Sequence, residues 1–213
     1  MQNNIRILVL TALGVLAACG AAQAQNSTFK VGVVRYDAHS KTNGVTGIGI
    51  PAGADAVVGD ATTVIFTYEY EVKPNVGIEF VIGIPPKMKA KASGTVAFLG
   101  EVLSARNVAP TAFVTYHFGT KGDQLRPYAG IGLNYTRFTG ATSPYGWNVK
   151  LGDSVGMAVH AGADWALDKQ WGLFASIARI DVKSKLVATG AVVLQSTIDF
   201  RPWTYTAGAS YKF

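Results

Sequence analysis

The segment from Trp203 to Phe213 alternates strictly between apolar side chains and polar or small ones. Successive side chains of a β-strand point to opposite faces, so this segment has one face of Trp, Tyr, Ala and Phe and one of Thr, Gly, Ser and Lys. Strands between lipid and a polar lumen have this pattern, and about 9–11 tilted residues cross a bilayer. The segment predicts a membrane-crossing strand if the pattern repeats along the chain, because strands of soluble sandwiches also alternate.

The alternation recurs in seven earlier segments, which gives eight predicted strands: 29–38, 63–72, 76–84, 109–118, 125–135, 154–167, 171–178 and 203–213. The connectors alternate as well. Short turns at 73–75, 119–124 and 168–170 contrast with long Gly/Thr/Lys-rich connectors at 40–62, 85–108, 139–153 and 181–196.

Short turns at one end and long loops at the other are typical of outer-membrane barrels. Closure of the sheet pairs every strand edge, which lipid requires because it cannot hydrogen-bond a free edge. We predict one all-β domain, 25–213, folded as an eight-stranded antiparallel transmembrane β-barrel with short periplasmic turns and long extracellular loops. The alternative, a soluble β-sandwich, does not explain apolar outward residues on every strand.

The first 24 residues are typical of an export signal. A short basic start is followed by an apolar run, 7–18, and by Ala22-Gln23-Ala24, an A-x-A cleavage site. An alternative is a lipobox at 16–19, in which Cys19 would carry a lipid. No other segment has the ~18 consecutive apolar residues of a transmembrane helix. A membrane location therefore requires a barrel in the bacterial outer membrane.

Composition excludes several function classes. The net charge of +6 comes from Lys and Arg spread along the chain, without a basic helix or a nucleic-acid-binding motif. The one cysteine and three histidines have no metal-ligand spacing, so we expect neither a metal nor another cofactor. His117 and His160 point inward, and His39-Ser40 has no obvious orienting carboxylate. We therefore do not expect an enzyme.

Inward positions near the short turns are polar. Unpaired buried charges are costly, so these side chains should pair and fill the lumen. A proton- or ion-conducting role is the alternative. The predicted network comprises Glu69, Glu71, Glu79, His117, Arg126, Tyr128, Asp164 and Lys212.

Inward positions near the long loops are apolar. We expect them to converge as an apolar funnel at the outer mouth, which would capture a small hydrophobic molecule. Alternatively, they form a small core that holds the loops down. The predicted funnel residues are Ile65, Val81, Phe113, Phe138, Ile180, Val182, Ile198 and Phe200.

The chain resembles the OmpW/AlkL family over essentially its whole mature length. The resemblance is carried by P-T at 110–111, Y-H-F-G at 116–119, R-P-Y-A-G-I-G-L-N-Y at 126–135, G-A-D-W at 162–165 and G-A-S-Y-K-F at 208–213. The segments 180–182 and 198–203 are similar to the closing hairpin of that family. The resemblance implies an eight-stranded barrel with a hydrophobic channel that passes small hydrophobic molecules, in some cases alkanes, and that has a lateral exit.

Prolines deny a strand a hydrogen-bond donor, so Pro85, Pro86, Pro110 and Pro202 are candidates for the position of a lateral opening. The leading hypothesis is a passive channel for small hydrophobic solutes. The alternative is a structural or surface-interaction barrel with a plugged lumen. Expected partners are outer-membrane lipid and lipopolysaccharide, whose phosphates Lys87, Lys89 and Lys91 would meet, and the assembly machinery, which would engage Phe213.

Overall fold

The computed structural model describes residues 26–38, 40–190 and 193–213. The predicted signal peptide, 1–24, with Cys19 and the cleavage site, lies outside the described residues, as does His39. No helix in the described part of the chain is long and apolar enough to cross a membrane.

Eight antiparallel strands close into a barrel. The barrel strands are β1 (Ser27–Asp37), β4 (Ala61–Lys73), β5 (Val76–Gly83), β8 (Thr111–His117), β9 (Leu125–Thr142), β11 (Ser154–Ala166), β12 (Trp171–Ile180) and β15 (Trp203–Lys212). Their neighbour order is β11–β12–β15–β1–β4–β5–β8–β9, and β9 pairs with β11 to close the ring. The predicted fold class is confirmed, and each predicted strand matches an observed one.

The alternation of residue types along each strand is matched by an alternation of buried and exposed side chains. In β8, for example, Thr111, Phe113 and Thr115 are buried while Ala112 and Val114 are exposed. Outward side chains form an exposed apolar belt around the barrel. In a soluble protein, side chains of this kind would ordinarily be buried away from water. Exposure of Ile131, at 61%, therefore marks a surface for lipid. Aromatic side chains border the belt near the chain termini, where Tyr211 packs edge-on against Trp171 and Phe213.

Three tight connections lie at the end of the barrel where β1 begins and β15 ends, here called the turn end. Asn75 in the β4–β5 turn has a φ of 69°, the left-handed conformation that such turns require. In the β11–β12 turn, the Asp168 carboxylate accepts the backbone N–H groups of Trp171 and Gln170 at 2.7 and 2.8 Å. These two bonds stabilise the ionised carboxylate and lower its pKa below the ordinary value.

The long connectors at the other end contain strands that the sequence reading treated as loops. Seven of them, here called the extension, continue the barrel wall: β2 (Ser40–Thr42), β3 (Ala54–Val58), β6 (Lys87–Gly94), β7 (Glu101–Val108), β10 (Asn148–Leu151), β13 (Val182–Thr189) and β14 (Val193–Phe200). A short 3-10 helix, Ala97–Leu99, separates β6 from β7. The connectors are long, as expected, but the sequence analysis did not predict their paired strands. Alternation continues there only in short segments such as Lys87–Gly94, where lysine alternates with methionine and alanine.

The extension consists of two walls. On one side, β9 extends beyond the barrel and pairs with β7. The next neighbours in this sheet are β6 and then β3. On the other side β10, β13, β14 and β2 form a separate four-stranded sheet. The β13–β14 hairpin pairs Val182 with Phe200, as the family resemblance implied. The inner faces of both walls point into a common space above the lumen.

Candidate functional site

The turn-end half of the lumen is closed by an ionic cluster centred on Lys30, which is 1% exposed. Its Nζ lies 3.0 Å from Asp164 Oδ1, 3.2 Å from Glu69 Oε2 and 3.9 Å from Glu79 Oε2. His117 Nε2 forms a short hydrogen bond with Glu69 Oε1, and its Nδ1 lies 3.7 Å from Asp164 Oδ2. We call Lys30, Glu69, Glu79, His117 and Asp164 the ionic floor.

A second polar group lies between the ionic floor and the turns. Arg126 Nη2 donates to Glu71 Oε1 at 2.8 Å and to Asn75 Oδ1 at 2.9 Å. Lys121 Nζ lies 3.1 Å from Glu71 Oε2. Lys212 lines the same small cavity, so seven of the eight predicted network residues lie in the turn-end half of the lumen. The eighth, Tyr128, lies over Lys30.

Aromatic rings cover the ionic floor from above. Lys30 Nζ lies 4.7 Å from the ring centroid of Tyr128, a cation–π distance. The His160 ring stacks on Phe113 with centroids 4.0 Å apart, and its Nε2 shares a hydrogen bond of 3.0 Å with Thr115 Oγ1. Phe113 and His160 therefore mark the change from a charged to an apolar interior.

Above this change the interior is a packed group of apolar side chains, here called the apolar cluster: Met88, Phe113, Ala158, Ile180, Val182, Ile198 and Phe200. Val81 and Phe138 pack against its side. Of the eight predicted funnel residues, only Ile65 lies outside this group, on the wall of the lumen below it.

Two apolar cavities lie between the walls of the extension. The inner one has a volume of about 480 Å³, with its space open to solvent included, and is lined by residues of both walls, among them Leu103, Phe138 and Val182. The outer one has a volume of about 560 Å³ on the same measure and reaches Trp147 and Leu194. Val58, Ala90, Leu103 and Ile198 line both cavities, so the apolar lining is continuous through the extension.

A third cavity, here called the chamber, occupies the lumen between the apolar cluster and the ionic floor. Its volume is about 620 Å³, with its space open to solvent included. Lys30, Glu79, Tyr128 and His160 line it from the charged side, and Phe113 and Ile180 from the apolar side. The chamber thus lies where the charged and the apolar parts of the interior meet.

The chamber reaches the barrel wall between β5 and β8. Pairing of these strands ends at Val81 and Thr111, yet Ile82, Gly83 and Ala109 beyond that pair line the chamber. Pro85 and Pro86 follow β5, and Pro110 precedes β8; the Pro110 carbonyl accepts the Tyr135 N–H of β9 at 3.0 Å, so β8 stays attached on its other side. Pro202, in contrast, is fully buried beside a continuous β12–β15 pairing.

Glu69, His117 and Asp164 offer ligand atoms that lie within 4.8 Å of one another. The three residues come from β4, β8 and β11, so no ligand spacing along the chain indicated that they form a triplet. The Lys30 ammonium already lies between two of these carboxylates, so it supplies the positive charge that a metal ion would bring.

Sequence reasoning missed two residues of the interior. Lys30 lies on β1, the segment with the weakest alternation. It is two residues before Gly32 and four before Val34, so all three residues belong to the inner face of the strand. Met88 lies on β6, within a connector that we expected to be a loop. The same alternation rule, applied to shorter windows, would have placed both side chains on the inner face.

A closed antiparallel barrel with an apolar belt, short turns at one end and a filled lumen defines an integral protein of the bacterial outer membrane. The OmpW family model matches residues 23–213. The chain thus belongs to the OmpW family, which confirms the resemblance seen in its motifs.

Relatives agree with this assignment. Outer membrane protein W of Vibrio cholerae is 31% identical over 170 residues, which are 75% of this chain and 77% of that protein. A protein of Pseudomonas aeruginosa named for a dibenzothiophene metabolism operon, PahQ, is 29% identical over 161 residues, 74% of each chain. The crystal structure of OprG from Pseudomonas aeruginosa has the same fold, with a TM-score of 0.84 at 24% identity, over 90% of this chain and 97% of that one.

Proposed function

We propose that the protein is a passive channel through which small hydrophobic molecules enter the outer membrane. The observation that carries this proposal is the unbroken apolar lining that runs from Trp147 and Leu194 in the extension to Phe113 above the chamber. A barrel that served only as a surface-interaction module would not require such a lining on the inner faces of both walls.

Capture follows from burial. Removing apolar surface from water contributes about 25 cal/mol per Å², and both cavities of the extension are lined mainly by apolar side chains. Charged and strongly polar solutes are disfavoured because they lose hydration without gaining partners among these side chains. The extension thus selects for apolar molecules before they reach the lumen.

The ionic floor prevents passage straight through the barrel. An apolar solute would have to separate Lys30 from Glu69 and Asp164, and breaking such a buried pair costs several kcal/mol. The floor therefore makes the turn-end half of the lumen a plug, and a solute in the chamber needs another way out.

Release occurs sideways between β5 and β8. Above the Val81–Thr111 pair these two strands share no further ladder, and the chamber is lined there by Ile82, Gly83 and Ala109. Pro85 and Pro110 bracket this point of the wall. Pro202 is not part of this exit, because it is buried beside the continuous pairing of β12 and β15.

Two partners belong to the same proposal. The outer surface of the β6–β7–β9 wall exposes Lys87, Lys91, Arg106 and Arg137, which suits the phosphates of lipopolysaccharide. At the other end, the assembly machinery would bind the exposed ring of the terminal residue, Phe213.

The relative named for a dibenzothiophene metabolism operon supports an apolar solute, since dibenzothiophene is a fused aromatic molecule.

The test measures entry of radiolabelled n-octane into vesicles with lipopolysaccharide in the outer leaflet, with and without the protein. We expect Phe200→Asp, which places a charge in the apolar cluster, to slow protein-dependent entry at least about tenfold. Phe98→Asp is the matched control, because Phe98 is 83% exposed on the short helix of the extension.

Ala90→Trp provides a second variant without a buried charge. Ala90 lines both cavities of the extension, so an indole there would obstruct the route between them. Unchanged n-octane entry through correctly folded Phe200→Asp and Ala90→Trp proteins would contradict the channel and favour the surface-interaction alternative.

A further inference from the structure

We propose that the chamber is a binding site for small solutes that combine an apolar chain with one neutral hydroxyl group, such as alcohols and phenols. This inference rests on the proposed function, because the solute reaches the chamber through the extension. It goes beyond that function by assigning the chamber a ligand of its own.

Hydroxyl and apolar groups both line the chamber. On one side of the lumen, β12 and β15 supply the hydroxyl groups of Ser176, Thr204 and Thr206. On the opposite side, β5 and β8 supply the apolar side chains of Val81 and Phe113, together with the carboxylate of Glu79 and the hydroxyl of Thr111. Polar and apolar groups therefore lie next to each other, and a ligand that carries both kinds of group suits this lining.

Glu79 is the feature that calls for a polar ligand. Its side chain is buried, and it lines the chamber. Within the described residues its Oε2 accepts no hydrogen bond, and Lys30 Nζ lies 3.9 Å away. A buried carboxylate oxygen without a hydrogen bond is costly, so a donor that enters the chamber is stabilised there.

The apolar cluster and the carboxylates of the ionic floor together favour a neutral hydroxyl as this hydrogen-bond donor. A solute has to pass the apolar cluster, where an ionised head group would lose its hydration without a partner. A carboxylate would also add a negative charge beside Glu69, Glu79 and Asp164, which have only Lys30 as a permanently charged partner among the floor residues. A hydroxyl adds no charge, and it can both donate and accept.

The positions of these groups determine the orientation of such a solute. With its hydroxyl between Glu79 and the β15 threonines, its chain lies against Val81 and Phe113. That chain points toward the part of the wall where β5 and β8 separate. The chamber would then hold an amphipathic solute with its apolar end already at the proposed exit.

The test uses the full protein in lipid nanodiscs, with ¹³C-labelled isoleucine and valine methyl groups and labelled histidine rings. 1-Octanol, n-octane and octanoate are added in turn, and chemical shifts report the site that each one occupies. We expect 1-octanol to shift Val81 and the His160 ring saturably. We expect n-octane to shift Val182 and Ile198 in the extension with little response from His160, and octanoate to shift neither group.

Variants separate a hydrogen-bonded site from simple partition. Glu79→Gln should weaken 1-octanol binding about tenfold, the effect of one lost charge-assisted hydrogen bond, and Thr204→Val should weaken it by a smaller factor. Neither change should alter the n-octane response. Glu101→Gln and Thr189→Val, both in the extension and away from the chamber, are the matched controls.

The outcomes distinguish the two proposals. Equal responses of the chamber to 1-octanol and n-octane, or 1-octanol binding unaffected by Glu79→Gln and Thr204→Val in folded proteins, would overturn the hydroxyl site and leave the channel intact. A lack of response at Val182 and Ile198 to either octyl compound would contradict the channel itself, and the hydroxyl site with it.

Discussion

The ammonium of Lys30 lies 3.0 Å from Asp164 Oδ1, although 134 residues separate the two along the chain. Lys30 belongs to β1 and Asp164 to β11, and two strands, β15 and β12, stand between them in the barrel wall. The pair therefore spans the lumen rather than joining neighbouring strands. It connects parts of the barrel that no backbone ladder joins directly.

Lys30→Met should destabilise the barrel by about 3–5 kcal/mol, because Glu69, Glu79 and Asp164 would remain buried without their shared cation. Urea-induced unfolding in detergent micelles, followed by tryptophan fluorescence, measures this change. Lys169→Met, at an exposed turn position, should stay within about 0.5 kcal/mol of the parent. Equal unfolding midpoints for the two variants would show that the pair does not support the fold.

The barrel could be predicted because each of its strands has to satisfy lipid on one side and the lumen on the other. This double requirement produces the long alternating segments of β9 and β11, where glycine and polar residues face inward and leucine, isoleucine and valine face outward. Parity alone placed Glu69 and Asp164 in the lumen. It could not show that Lys30 lies between them, because which inward residues meet depends on the shear of the barrel.

The extension was harder to predict because its strands are short and its outer faces are charged rather than apolar. β6 has Lys87, Lys89 and Lys91 outside and only Met88 and small residues inside, which is a weak hydrophobic pattern for a strand. Its pairing with β7 joins residues across a connector with its own short helix. Tertiary pairing decides its structure, and the local sequence gives little evidence of it.

Gly156→Ala should loosen the junction between the barrel and the extension. A Cβ at Gly156 would overlap the carbonyl oxygen of Asp181, whose own N–H donates to Met157 O at 2.9 Å. The backbone must shift to relieve the overlap, so amide hydrogen exchange should quicken at Asp181 and along β13. Gly59→Ala, where a Cβ would make an ordinary contact, is the control, and unchanged exchange in Gly156→Ala would refute a close junction.

Cations on the outside of the extension should bind lipopolysaccharide phosphates. Lys87 pairs in register with Arg106, and Arg137 is exposed on neighbouring β9. Lys89, in contrast, donates to Glu101 at 2.8 Å, and this bond lowers the pKa of that carboxyl. At about 1 kcal/mol for each cation near an anionic surface, the double variant Lys87→Gln, Arg137→Gln should weaken lipopolysaccharide binding by roughly thirtyfold at low salt.

Dephosphorylated lipopolysaccharide is the control ligand for this experiment, and Lys169→Gln at the turn end is the control variant. Binding of the dephosphorylated form should not distinguish parent from double variant. If the double variant binds the phosphorylated form as tightly as the parent does, these cations are only a solvated surface.

Sideways release is tested most directly by locking β5 to β8 with the pair Ile82→Cys and Pro110→Cys, the positions just beyond the last paired residues, Val81 and Thr111. The pair Ala175→Cys and Ala207→Cys, which face each other in the continuous β12–β15 ladder, is the matched control. Protein-dependent n-octane entry is measured before and after cross-linking with a short thiol-reactive reagent cleavable by reduction. We predict that locking β5 to β8 stops entry and that reduction restores it, while locking β12 to β15 has no effect. Undiminished entry through a fully cross-linked β5–β8 pair would contradict lateral release.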